Sequence, residues 1–226
     1  MKHMTWARAA AAALCAVLLS GCAGPGMGVA SRVGKTPITD EQAADASALL
    51  CALVKTNGQA ASLSMINKQA LASLIDIEVT EQYARSEGLR ADPQMISAVA
   101  QQGLGMADQL PAKYREDFKK MIMDISRSRV LLVEAGAKLS NQPVTLEKGQ
   151  QLLQAGGVGR LQFEKSLTID TASRFSPDEK GWPSKGNGSV SVPSSAIAKD
   201  ALKLTPEQNE DPKWVASLAP SQRCGG

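Results

Sequence analysis

Between Ser62 and Gly88 the apolar residues fall into two adjacent rows at helical spacing: Leu63, Ile66, Ala70, Leu74 and Ile77, and Leu71, Ile75, Val79 and Tyr83. An ordinary surface helix carries one such stripe, whereas two neighbouring rows make a face wide enough to pack on more than one side. The chain is therefore expected to assemble around this segment as a central helix. Ser62 or Ser64 would open it, and Gly88 would end it as a C-terminal glycine cap.

The flanking sequence carries further start and stop signals. Thr39 followed by Gln42 reads as a capping box for a first helix to about Thr56, burying Ala46, Leu49, Leu50 and Leu53 and ending at Asn57-Gly58. Asp92-Pro93 places an N-cap and a first-turn proline before a third helix, expected to end near Leu110-Pro111 and weakened by Gly103 and Gly105. A fourth helix is expected from Ala112 to Leu139, with Phe118, Met121, Ile125, Leu132 and Leu139 on its stripe. Val29 to Ile38 reads as a short strand pair turning at Gly34-Lys35. After Pro143 the pattern changes: a short helix from Thr145 to Gln154 is expected to break at Gly156-Gly157. Leu167 to Asp170 and Ser189 to Val192 alternate like strands, and the tail from Asn209 is expected to be extended or briefly helical.

The amino terminus sets the compartment. Ala9 to Leu19 is an uninterrupted apolar run of 11 residues behind Lys2, His3 and Arg8. That is too short to span a bilayer and suits the h-region of a secretory signal. Leu19-Ser20-Gly21-Cys22 ends the run and resembles a bacterial lipobox, which implies cleavage before Cys22 and acylation of its sulfur and new amino group. An ordinary signal peptide with an incidental cysteine is the alternative. Residues 1–21 are thus expected to be removed and 22–28 to form a lipidated tether, whose six residues after Cys22 reach only about 13 Å. The expected location is the cell membrane, lipid-anchored, on the extracytoplasmic or periplasmic side.

Loss of that leader narrows the chemistry. Without Lys2 and Arg8 the basic count is 23 against 22 acidic residues, a net charge of +1, so the pI near 8.7 overstates any attraction to nucleic acid, and no such partner is expected. The single histidine, His3, leaves too. Ser-His-Asp and Cys-His nucleophiles and histidine metal sites are then excluded, and no cofactor or metal is called for. Of four cysteines, Cys15 leaves and Cys22 would be acylated. Cys51 and Cys224 remain and are expected to bond to each other, two free thiols being the alternative.

Other motifs read structurally. Gly156-Gly157-Val158-Gly159 follows no strand and precedes no P-loop lysine, so it reads as a helix terminator. Asp76 and Glu78, two apart on a helix, do not face each other and read as solvated or paired. Lys119, Lys120, Arg127 and Arg129 read as a basic helix face that is solvated or turned to anionic headgroups. The methionines, Met65 and Met121 among them, suit core filling or an adaptable binding surface.

Val33-Gly34-Lys35-Thr36-Pro37-Ile38-Thr39, the helix Leu71 to Arg85 ending Ser86-Glu87-Gly88-Leu89, Asp92-Pro93, and the Met121-to-Ile125 and Arg129-to-Leu132 runs resemble the N-terminal chaperone domain of SurA-type periplasmic folding factors. The tail, with Trp214-Val215-Ala216-Ser217-Leu218 and Gln222-Arg223-Cys224-Gly225, is similar to small SurA-like lipoproteins of actinobacteria. The resemblance implies a mainly α fold: a multi-helix SurA/trigger-factor-like domain over residues 29–142 with its short N-terminal strand pair. Residues 143–226 would follow as a helix, a small β-hairpin and a docked tail. It also implies an apolar cleft that holds unfolded secreted polypeptides. Family members often add a parvulin prolyl-isomerase module, but the roughly 80 residues here lack the histidines of a parvulin site.

The leading expectation is a lipid-anchored holdase-type chaperone for exported chains, with Met65, Tyr114, Phe118, Met121 and Ile122 lining its peptide groove. A structural or accessory lipoprotein of an envelope complex is the alternative, and a prolyl isomerase the least favoured reading.

Overall fold

The computed structural model describes residues 25–145, 147–184 and 212–225. Its order is β1 (Val29–Val33), β2 (Thr36–Thr39), α1 (Asp40–Thr56), β3 (Ala61–Ser62), α2 (Leu63–Ser86), α3 (Pro93–Leu104), α4 (Arg115–Ser140), α5 (Gly149–Glu164), β4 (Ile169–Thr171), α6 (Pro212–Ser217) and β5 (Arg223–Cys224). The fold is mainly helical with a small antiparallel sheet. Cys22 and the expected leader, residues 1–21, lie outside the described residues, as does Ser189 to Val192.

Helix starts form where local chemistry directs them. The Gln42 amide donates to Thr39 Oγ1 at 3.1 Å, and the Thr39 amide donates to Gln42 Oε1 at 2.8 Å, so the capping box is complete. The Met65 amide donates to Ser62 Oγ at 3.2 Å, and the Gln94 amide to Asp92 Oδ1 at 2.9 Å with Pro93 in the first turn. Gly88, just past α2, holds φ +66°, a backbone state that glycine adopts without steric cost.

Four boundaries depart from the sequence-based expectation. The third helix stops at Leu104 rather than near Leu110; a 3-10 turn over Ala107–Gln109 replaces the glycine-weakened end. Ala112–Tyr114 is likewise a 3-10 turn, and α4 begins at Arg115. The short helix expected from Thr145 begins instead at Gly149, and the expected break at Gly156-Gly157 is absent, because α5 continues to Glu164. A Cβ at Gly156 would fall on the Leu132 carbonyl, and one at Gly136 on the Leu152 carbonyl. These glycines let two helix backbones touch; they do not stop a helix. The strand β4 lies antiparallel to β1, giving the order β2-β1-β4 with Val33 opposite Ile169 and Ser31 opposite Thr171, while its expected hairpin partner lies outside the described residues.

The core joins residues far apart in the described chain. Ala30, Val33, Ile38, Ala43, Leu71, Ile75, Val79 and Ile169 form one buried cluster under the sheet, with Phe175 and Trp182 against it. The helix α2 therefore does pack on more than one side, against α1, α4 and the sheet. Cys51 and Cys224 form a disulfide with Cα atoms 5.3 Å apart, and β5 pairs with β3 beside it. Among the described residues no helix is long and apolar enough to cross a membrane.

Candidate functional site

An apolar seam lies where α1, the turn after α3 and the start of α4 meet. Its buried floor is Leu49, Ala52, Ala107, Leu110 and Phe118, and Leu53, Tyr114, Met121 and Ile122 pack around it half-buried. Tyr114, Phe118, Met121 and Ile122 share one helical face, so four of the five expected groove residues come together. Phe118 is only 2% exposed, which makes it floor and not lining. The loop residues Ala107 and Leu110 close over it. Met65 stands apart on the first turn of α2, 37% exposed and outside this cluster.

The helix above the seam is lightly held. Only Ile96 and Ala100 of α3 are buried, and α3 packs chiefly on α4. At Gly103 a Cβ would come within 2.9 Å of Ile122 Cγ2, so the glycine sets how closely the two helices approach. Val99 lies one turn before Gly103, Met106 adjoins Ala107, and Ile125 lies one turn beyond Met121 and Ile122. All three are exposed. Sequence periodicity named Ile125 as stripe but missed Val99, whose signal was its spacing of three residues from Ile96 and four from Gly103; Met106 counts among the methionines suited to core filling or a binding surface. Below the seam the turn is fixed: Arg115 Nε donates to the Leu110 carbonyl at 3.0 Å, and its Nη2 to that of Asp108 at 3.3 Å.

Charged groups elsewhere are engaged in structure. Arg160, buried on α5, donates to Glu164 Oε2 at 2.9 Å and to Asp76 Oδ1 at 2.5 Å. Trp182 Nε1 donates to the other Glu164 oxygen at 2.9 Å, so the group ties α2, α5 and the segment after β4. Glu78 pairs with Arg85 at 3.0 Å, Lys119 with Glu116 at 2.7 Å and Arg127 with Glu81 at 2.6 Å. The hydrogen bond that Arg127 donates to Glu81 raises its guanidinium above the ordinary value. Burial pushes the Asp124 carboxyl up; Glu81 adds to this, and Lys120 and Arg127 oppose it. Burial also raises the Tyr83 hydroxyl, helped by Glu87 and opposed by Lys138.

A concavity of about 410 Å³ lies between α1 and α2, lined by Ala43, Ala44, Ser47, Asn67 and Phe175 together with the Asp40–Arg174 ion pair. Among the described residues no group of three or more His, Cys, Asp or Glu side chains is placed to hold a metal ion. The candidate site thus gathers apolar side chains around a buried floor. Comparison with protein-family models, with curated proteins and with solved structures returns no match.

Proposed function

We propose that this protein is a lipid-anchored, extracytoplasmic holdase-type chaperone with a SurA/trigger-factor-like helical domain. It holds extended apolar segments of unfolded exported polypeptides at the α3–α4 seam. One observation supports this above the others. The half-buried Leu53, Tyr114, Met121 and Ile122 pack on a buried floor, and the neighbouring α3, which meets Ile122 at Gly103, has only two buried side chains and leaves Val99 exposed. A client side chain entering there gains roughly 25 cal/mol per Å² of apolar surface removed from water. Displacing α3 forfeits little burial of its own. Acylated Cys22 and the tether through Gly28 would keep the seam near the membrane from which clients emerge.

The test is aggregation of a reduced, unfolded client with and without stoichiometric protein. Suppression is expected, and its absence overturns the chaperone reading. Crosslinking separates the alternative: many unrelated exported proteins mark a holdase, whereas one defined partner marks an accessory subunit. Palmitate labelling that disappears in Cys22→Ala tests the anchor.

A further inference from the structure

The seam between α1, β3 and the start of α2 already holds an extended segment: the chain's own tail. β3 pairs with β5, Ala61 opposite Cys224 and Ser62 opposite Arg223, and among the described residues it has no other strand neighbour. Leu50, Val54, Leu63, Ala61 and Ile66 enclose the tail, and Cys224 has no exposed surface. The next residue, Gly225, holds φ +79°, and a Cβ there would fall on the Gln59 carbonyl. The seam therefore accepts a small apolar side chain followed by glycine, and nothing larger at either place.

We propose that this seam is an acceptor for an extended segment of another polypeptide carrying a small side chain followed by glycine, closed by the Cys51–Cys224 bridge and opened by its reduction. Binding is by strand addition to β3: backbone hydrogen bonds supply affinity, and the pocket around Cys224 together with the glycine position supplies selectivity. A ladder of two residues holds the tail weakly by itself, so the covalent bridge governs whether it stays. Val215 and Leu218 are the buried side chains of the α6 region that leave with it. The site is separate from the α3–α4 seam and does not depend on the chaperone reading.

The opening step is thiol–disulfide exchange with a dithiol. Its thiolate attacks the sulfur of half-buried Cys51, since Cys224 is fully covered. The Cys224 thiolate leaves and takes a proton. The second thiol of the reductant then displaces Cys51, so the protein gains two thiols while the dithiol becomes a disulfide.

The experiment uses the full chain in a dithiol–disulfide buffer with a synthetic peptide of residues 212–226, read by mass spectrometry for capture on Cys51 and by amide exchange at Ala61 and Ser62. Reduction is expected to speed exchange at these amides, and added peptide to slow it again. Capture is expected to be about tenfold greater than for the peptide carrying Gly225→Ala, a difference of about 1.4 kcal/mol. Three outcomes overturn the proposal: unchanged exchange on reduction, capture indifferent to the glycine, or loss of the helical circular dichroism once the bridge is open.

Discussion

Gly136 and Gly156 oppose each other at the crossing of α4 and α5, each sitting against the other helix's backbone with no room for a methyl group. Alanine at either position should force the helices apart and cost about 1–3 kcal/mol, the usual range for overpacking. Gly157 has open space around its missing side chain, so Gly157→Ala should stabilise by up to about 1 kcal/mol through helix propensity. Urea midpoints of the three variants check this, and equal effects at Gly156 and Gly157 would remove the close-approach account.

Floor and rim of the apolar seam should separate cleanly. Phe118→Ala should cost about 3–5 kcal/mol as a buried aromatic truncation. Val99→Glu and Ile125→Glu, at exposed positions, should change stability by no more than about 0.5 kcal/mol. If the seam takes clients, the two exposed variants should nonetheless lose suppression of client aggregation. Unfolding curves run beside the light-scattering assay distinguish lost binding from lost fold.

Arg160 has a side chain 9% exposed, and its Nε lacks a hydrogen-bond partner even in the native arrangement. Arg160→Ala leaves Glu164, 16% exposed, without its cation and should cost about 3 kcal/mol or more. Asp76→Asn, at a carboxylate 55% exposed, should cost less than about 1 kcal/mol. Thermal melts of both variants settle the ranking, and a larger loss at Asp76 would reverse it.

The raised Asp124 carboxyl makes stability depend on pH. Its folded form holds the proton more tightly than the unfolded chain does. Its contribution is therefore present in full below the ordinary aspartate value of about 3.9 and is lost as pH rises through the folded value. At neutral pH the ionised group opposes folding. Asp124→Asn should thus stabilise at pH 7, with the gain shrinking as the pH falls below 4. Guanidinium midpoints at the two pH values read the sign, and a gain that grows toward acid would refute it.

Local chemistry made much of the helical layout legible. The Thr39–Gln42 box and the Asp92-Pro93 start need only neighbours a few residues away, and both form as read. Gly156 was misread because a glycine inside a helix looks like a stop until its partner, the Leu132 carbonyl of another helix, is known. The partner of β4 was equally hidden, since alternation marks a strand but not the edge it joins. At the seam, the spacing of Tyr114, Phe118, Met121 and Ile122 placed them on one face. It could not tell that Ala107 and Leu110 would cover Phe118, nor that Met65 would stand elsewhere. The Cys51–Cys224 pairing was legible once Cys15 and Cys22 were set aside as expected leader and acylation site.

That bridge fixes an order of events during biosynthesis. Cys51 and Cys224 are separated by 173 residues, so the earlier thiol waits while nearly the whole protein is made. Throughout that wait the cysteines behind it are Cys15 and Cys22. Removing the first with the leader and blocking the second with a fatty thioether would leave Cys51 with a single correct mate. Maturation at one end of the polypeptide would thereby guard against mispairing at the other.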